Sequence, residues 1–334
     1  MKVTVIAEAG VNHNGDLTLA KKLVDVAKIA GADFVKFQTF DPDALVIQQV
    51  GKAEYQKTSH DDDESQYEML RKLQLTDKMH RELIDYSLAV GIRFLSTAFD
   101  MESAHMLYGL GQRAFKIPSG EITNTPLVRF IGSIAEQVIL STGMSTLEEV
   151  RRALNEIERA GTSKNRVTVL HCTSAYPTPY SEVNLAAMVT LRDELGVKVG
   201  YSDHTMGTEV PIAAVAMGAS IIEKHFTIDR NLVGPDHKAS LNPDELQSMV
   251  RQIRNIEVAV GDGKKQPSRA ELDNLLLVRK SIVARTAIAQ GEVFSESNLT
   301  TKRPGTGLSP IHWDRIIGSI AHRNFCANEL IDEA

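Results

Sequence analysis

Several short apolar runs in the sequence end in residues able to bind anions, metals or protons. Lys36 closes the run in GADFVKFQTF and Lys116 the one in AFKIPSG. Hydroxyl residues close others: Thr97 in FLSTAF, Ser119 in KIPSG, Ser141 in VILSTGM, Ser174 in LHCTSAY and Ser202 in GYSDHT. Two ammonium groups with several hydroxyls suit a small dianion or trianion such as a phosphorylated acid. Ion pairing of each lysine at the rim of the fold is the competing reading. His204 and His225 stand 21 residues apart at the ends of successive runs. If those runs are adjacent strands, about 5 Å apart, both imidazoles can reach one divalent ion. Two protein ligands leave positions for substrate and water, as Lewis-acid catalysis requires. Ordinary hydrogen-bonded histidines are the alternative. Glu8 sits inside the apolar run VTVIAEAG, where desolvation raises a carboxyl pKa and suits it to proton transfer. A carboxylate held by lysines fits that position equally well. Cys172, in VTVLHC, reads as core packing, and NHNG at Asn12–Gly15 as a turn.

Elements that gather these run ends are written in a recurring pattern: an amphipathic stretch, a Gly, then a short β-rich run. AKKLVDVAKIAGADFVKFQTF leads to a strand at Phe34–Phe37 and LIDYSLAVGIRFLSTAF to one at Ile92–Leu95. MLYGLGQRAFKIPSG and IAAVAMGASIIEKHF lead to strands at Ala114–Ile117 and Ser220–Glu223. Gly at a helix end supplies the left-handed cap, and continuous apolar strands belong to a parallel sheet buried on both faces. VTVIAEAG, QVILSTGM, VTVLHCTS and VKVGYSDH complete eight runs between Val3 and Phe226, which predicts an α/β fold of the (β/α)8 TIM-barrel type. A doubly wound sheet usually shows a G-x-G-x-x-G turn after its first strand, and AEAGVNHNG is not one. Barrel enzymes carry their active sites at the C-terminal strand ends. Asn12, His13, Gln38, Ser96, Glu121, Thr142, His171, Thr173, Tyr176, Asp203, Glu223 and Lys224 fall at those ends too, which predicts a dense polar mouth.

The barrel is expected over residues 1–262, its last helix near Pro243–Val260, and the polar GDGKKQPSRAELDN reads as part of a linker at 263–279. Residues 280–334 have short strand-like pieces punctuated by Gly and Pro, a small β-rich domain of about 55 residues, near the lower size for independent folding. Such a domain is expected to pack against another surface. Among 334 residues, 37 Lys and Arg against 43 Asp and Glu give a net charge of −6, without any basic block, so nucleic acid is not an expected partner. Hydrophobic content of 43% and charged content of 24% are ordinary globular values, which exclude a disordered chain. No run approaches the ~18 apolar residues of a membrane span, and the N-terminus turns polar too soon for an export signal. With two cysteines far apart in sequence, a soluble protein of the reducing cytoplasm is expected.

The ordered motifs IAEAGVNHNGD, GADFVKFQTF, KIPSGEITN, ILSTGM, LHCTSAYPTP, GYSDHT, IEKHFTID and GPDHKASL resemble the sialic acid synthase family, the nonulosonate synthases, over nearly the whole chain. RKSIVA and GEVFSESNLTTKRPGTG resemble that family's C-terminal SAF, or antifreeze-like, domain. The resemblance implies condensation of phosphoenolpyruvate with the open-chain aldehyde of an N-acylated hexosamine, giving a nine-carbon 2-keto acid and phosphate. N-acetylmannosamine, as in N-acetylneuraminate synthases, is the first expected acceptor. A 2,4-diacetamido hexose, giving N,N'-diacetyllegionaminate, is the second, and a non-catalytic carbohydrate- or ice-binding protein is the distant alternative.

Carried over by motif, the resemblance implies that Lys36, Thr97, Lys116, Ser119, Ser141, Ser174 and Ser202 hold phosphoenolpyruvate. His204 and His225 would ligate Mn²⁺ or Mg²⁺. Glu8 would handle the proton at the sugar, and Glu223 would orient or deprotonate the water that attacks C2. Gln38, Tyr176 and Asp236 would line the sugar pocket. Where certain members have Asn after HCT, this chain has Ser174. The family is typically a domain-swapped homodimer, so that Arg303 of the KRPG motif would enter the partner's barrel and meet the acyl group. A solvated Arg in a turn is the plainer reading of Arg303.

Overall fold

The computed structural model describes residues 2–52 and 65–333. Eight strands, β1 (Thr4–Gly10), β2 (Phe34–Thr39), β3 (Arg93–Ala98), β4 (Ala114–Ile117), β5 (Gln137–Ser141), β6 (Val167–His171), β7 (Lys198–Asp203) and β8 (Ile221–His225), close into a parallel barrel in sequence order. The third and eighth strands begin one residue later than the apolar runs alone indicate, at Arg93 and Ile221.

Between them run α1 (Leu17–Ala30), α2 (Pro42–Leu45), α3 (Gln66–Leu73), α4 (Asp77–Val90), α5 (Met101–Gly109), α6 (Thr125–Ile134), α7 (Leu147–Ala160), α8 (Ala186–Leu195) and α9 (Glu209–Ala216), with α10 (Pro243–Ala259) after β8. Local chemistry sets their ends. The Asp16 side chain accepts from the amides of Thr18 and Leu19 to start α1, and Gly31 ends it at φ 83°, a left-handed cap that costs an ordinary side chain more. Reciprocal capping boxes start α7 at Thr146 and Glu149, and α10 at Asn242 and Glu245.

Alternation along each strand sorts side chains into two populations. Ile6, Leu95, Ile139, Leu170 and Ile221 point inward and plug the lower barrel. Val5, Ala7, Val35, Phe37, Phe115, Val169 and Tyr201 point outward into the layer shared with the helices. One step above the apolar plug, the same inward face carries Glu8, Lys36, Thr97, Lys116, Ser141, Cys172, Ser202 and Glu223. A dry floor thus supports a polar layer, the arrangement a barrel needs to hold charges at one end without flooding its core.

The chain folds as two compact units, Met1–Gly261 and Asp262–Ala334. The second unit contains α11 (Arg269–Val278), an antiparallel pair β9 (Ser281–Ala284) and β10 (Leu299–Lys302), and its own core of Ile282, Ile288, Phe294, Leu299, Phe325 and Ile331. The stretch expected as a linker therefore carries a helix. Ser268 and Glu271 cap it reciprocally, which explains why a polar segment is helical, and Leu272, Leu276 and Leu277 on it are exposed. Among the described residues no helix is long and apolar enough to cross a membrane.

Candidate active site

Lys36 on β2 is the hub of the inward polar layer. Its Nζ lies 2.8 Å from Glu8 Oε2, donates to Thr97 Oγ1 at 2.9 Å and stands 3.6 Å from Glu223 Oε2. Lys116 approaches the other oxygen of Glu223 at 3.2 Å, and Ser202 Oγ donates to that same oxygen at 2.9 Å. All of these residues are buried. The ion-pair reading of the lysines is what the structure shows, and their partners are the carboxylates expected to do chemistry.

Equal charges on Glu8 and Glu223 do not behave alike. Burial drives the Glu8 carboxyl up to about 7 against the pull of Lys36, and the Glu223 charge adds to the rise. Burial works on Glu223 as well, but Lys116 and Lys36, helped by the Ser202 hydroxyl, outweigh it and hold this group at about 2. Burial lowers the Lys116 ammonium, whereas the Lys36 ammonium ends above its usual value because Glu223 and Glu8 outweigh burial. One carboxyl able to carry a proton near neutrality thus faces one that stays ionised, the pattern of an acid and base assignment.

At the mouth, the imidazole centroids of His204 and His225 are 5.7 Å apart. His204 Nδ1–H donates to the Thr173 carbonyl at 2.7 Å, which leaves the Nε2 lone pair for another partner. His225 Nδ1 is buried without a hydrogen-bond partner, 3.8 Å from Asp236 Oδ2. Burial lowers the pKa of His204 and takes His225 well below its ordinary value, so both rings are neutral. Neutral imidazoles with free lone pairs fit a divalent cation. Among the described residues no set of three His, Cys, Asp or Glu is placed to hold a metal ion. The Tyr176 ring lies 4.1 Å from that of His204 and 5.9 Å from that of His225. Gln38 Nε2 donates to Glu8 Oε1 at 3.3 Å.

Asp236 lies in the loop after β8. It is buried, burial alone raises its carboxyl to about 6, and no hydrogen-bond donor among the described residues satisfies it. A ligand hydroxyl would serve it. On the opposite side, Gly143 packs against Ser119 and Ser174: a Cβ there would stand 2.9 Å from Ser119 Oγ and 2.2 Å from Ser174 Oγ. Its amide donates to Ser119 Oγ at 2.9 Å, and Ser141 Oγ is buried with no partner. A side chain at Gly143 would displace the Ser119 and Ser174 hydroxyls.

Six of the polar residues expected at the mouth face the other way, because the two-residue period turns them toward the helices. Ser96 Oγ meets Thr39 Oγ1 at 2.6 Å, which in turn meets His80 Nε2 at 2.7 Å on α4. Thr142 donates to the Leu170 carbonyl, His171 Nε2 to that of Val183, and Thr173 to that of Glu182. Lys224 and Asp203 form a fully buried pair on the outer face that also binds Thr205. Conversely Cys172, read as core packing, points inward with its Sγ 3.2 Å from Ser119 Oγ. Counting back two residues from Ser174 was the available signal. Arg303 belongs to the second unit, where its Nε donates to the Val278 carbonyl at 3.0 Å.

This polar layer and open histidine pair sit in a chain whose residues 23–265 match the NeuB family and whose residues 279–334 match the SAF domain. The chain belongs to the NeuB family. It is therefore an enzyme, a carbon–carbon bond-forming nonulosonate synthase, and not a non-catalytic binding protein. It is 52% identical over 332 residues to the N,N'-diacetyllegionaminic acid synthase of Campylobacter jejuni, covering 99% of each chain. It is 48% identical over 329 residues to the protein of that name in Legionella pneumophila, covering 98% of this chain and 92% of that one. Among solved structures, N-acetylneuraminic acid (sialic acid) synthetase from Leptospira borgpetersenii, in complex with citrate, superposes with a TM-score of 0.73 at 33% identity, covering 82% of this chain and 90% of that one.

Proposed function

We propose that this NeuB-family chain is an N,N'-diacetyllegionaminate synthase, joining phosphoenolpyruvate to the open-chain aldehyde of a 2,4-diacetamido hexose. Full-length identities of 52% and 48% to two synthases of that name carry the reading. They favour the second acceptor expected from the sequence over N-acetylmannosamine. Discrimination between the two sugars rests on a few pocket contacts, which family motifs shared by both kinds of synthase do not encode.

In this proposal Lys36, Lys116, Thr97, Ser119, Ser141, Ser174 and Ser202 bind the carboxylate and phosphate of phosphoenolpyruvate. Glu8 and Glu223 engage the two lysines in the ligand-free chain, so the incoming anion competes with built-in carboxyl groups. C3 of phosphoenolpyruvate attacks the aldehyde carbon, and Glu8 gives its proton to the oxygen that becomes an alkoxide. Glu223 orients the water that adds to C2 and takes its proton. Cleavage of the C2–O bond then expels phosphate and leaves the 2-keto acid. Gln38, Tyr176 and Asp236 bind the sugar.

His204 and His225 would hold Mn²⁺ or Mg²⁺, which supplies Lewis-acid polarisation of the aldehyde oxygen when bound. Met144, Tyr180, Met206 and Val233, on four of the loops that follow barrel strands, are exposed. An apolar rim of this kind supports a homodimer in which a partner's SAF domain caps the mouth and brings Arg303 to an acyl group. Both cysteines are free, in keeping with a reducing cytoplasm.

Turnover of the two acceptors, measured side by side at saturating phosphoenolpyruvate and Mn²⁺, tests the assignment. The 2,4-diacetamido hexose should win in kcat/KM by about 100-fold, because a pocket built to bond a second amide leaves polar groups unpaired when it is missing. Preference for N-acetylmannosamine rejects it.

A further inference from the structure

The NHNG segment is a turn, with Asn14 N bonded to the Val11 carbonyl and Asp16 N to that of His13. A turn alone explains neither the burial nor the bonding of Asn12. Its side chain is 1% exposed and reaches more than two hundred residues along the chain. Asn12 Nδ2 donates to the Phe226 carbonyl at 2.8 Å and to Ser240 Oγ at 2.9 Å. Ser240 Oγ in turn donates to the Asp236 carbonyl at 2.6 Å. A carbonyl only accepts, so the amide nitrogen must face Phe226, and Ser240 must accept from Asn12 in order to donate to Asp236.

These bonds connect two positions of the site. Phe226 directly follows His225, and Asp236 holds its carboxyl 3.8 Å from the His225 ring. The loop between them is closed at its base by Thr227 N to the Leu241 carbonyl and Leu241 N to the His225 carbonyl. Base pairing of that kind fixes the loop ends but not residue 236. The Asn12 amide does so, as one strut between the end of β8 and the backbone of Asp236. A second stitch further out has Asn14 Nδ2 on the Val233 carbonyl at 2.9 Å and His237 against Asn14 Oδ1 at 3.2 Å.

We infer that Asn12 is a positioning residue for the acceptor sugar, setting Asp236 through Ser240 at the height where its carboxylate meets the sugar hydroxyls. The inference rests on the proposed sugar-binding role of Asp236. Among the described residues the Asn12 side chain bonds only Phe226 and Ser240 and none of the residues placed around phosphoenolpyruvate, so its loss acts on one substrate and spares the other.

Steady-state kinetics of the full-length enzyme with both substrates varied provide the test, on Asn12→Ala, Ser240→Ala, Asp236→Ala and the double variant Asn12→Ala/Asp236→Ala. Ser240→Ala removes a single hydroxyl and keeps the test available if Asn12→Ala does not fold, which thermal melting reports. Asn12→Ala and Ser240→Ala should each raise the acceptor KM about tenfold, with the phosphoenolpyruvate KM changed less than about twofold. The double variant should match Asp236→Ala, since a strut has nothing to position once the carboxylate is gone. If Asp236→Ala leaves the acceptor KM unchanged, the sugar-binding role itself is rejected. If Asp236→Ala raises it while Ser240→Ala and Asn12→Ala do not, or if both KM values rise together, the positioning role is overturned and Asp236 keeps its own.

Discussion

Glu8 and Glu223 approach the Lys36 ammonium at 2.8 and 3.6 Å, yet one carboxyl is driven up to about 7 and the other held at about 2. The difference comes from partners: Glu223 has Lys116 and Ser202 as well, whereas Glu8 has Lys36 and the neutral Gln38 amide. At neutral pH the ligand-free site therefore holds a removable proton on one side of the lysine and an ionised carboxylate on the other.

Glu8→Gln should separate the two consequences of that proton. The folded-state pKa of Glu8 lies above the ordinary value of 4.5, so between 4.5 and about 7 the folded chain keeps a proton that the unfolded chain has lost. Stability from this group is present at low pH and is lost as pH rises through 7. Gln mimics the protonated form, so the variant should melt with the wild type below about pH 4.5, draw ahead of it as pH rises toward 7, and melt several degrees above it at pH 8.5. In kcat/KM, which reports the free enzyme, the wild type should lose rate as pH rises through about 7. The variant should be slower by about 10²-fold or more and lack that limb. A limb retained by Glu8→Gln belongs to the substrate phosphate and rejects the acid role.

The barrel is legible in the sequence because strands buried on both faces must be continuously apolar, and VTVIAEAG or VTVLH has no other stable home. Lys36, Lys116, His204 and His225 are legible for a related reason: charge at the end of such a run must face either a partner or a ligand. What strand ends do not disclose is direction. Asp203 and Lys224 look as catalytic as Ser202 and Glu223 beside them, yet alternation sends them outward into a buried pair. Asn12 is hidden more deeply. Its partners, Phe226 and Ser240, lie 214 and 228 residues away, and only barrel closure between β1 and β8 brings them within reach.

Equilibrium binding of Mn²⁺ to the substrate-free protein should show weak, open-site affinity if, as proposed, two imidazoles supply the protein ligands. His204→Ala and His225→Ala should each weaken it by at least about tenfold. Exhaustive chelation should abolish turnover, and added Mn²⁺ should restore it. Full turnover in the chelated enzyme removes the metal from the proposal.

Water attacking C2 and water attacking phosphorus give identical products, so isotope placement is needed to tell them apart. With Glu223 directing water to C2, phosphate leaves with its bridging oxygen. In ¹⁸O-water the label should enter the 2-keto acid and be absent from phosphate. Labelled phosphate at the first turnover contradicts the role given to Glu223.

The proposed sharing of the site between two chains has its own signature. Arg303 lies in the SAF unit, and His204 in the barrel unit. Arg303→Ala and His204→Ala should each be nearly inactive as a pure homodimer, the first for want of an acyl-group contact and the second for want of a metal ligand. In a mixed dimer, the intact barrel of the Arg303→Ala chain receives the intact Arg303 of the other, and one site per dimer is complete. A statistical mixture holds mixed dimers at about half of the population, which sets recovered activity near one quarter of the wild type if exchange is complete. Mixed dimers shown to form by mass but inactive would place Arg303 in the barrel of its own chain, or outside the site altogether.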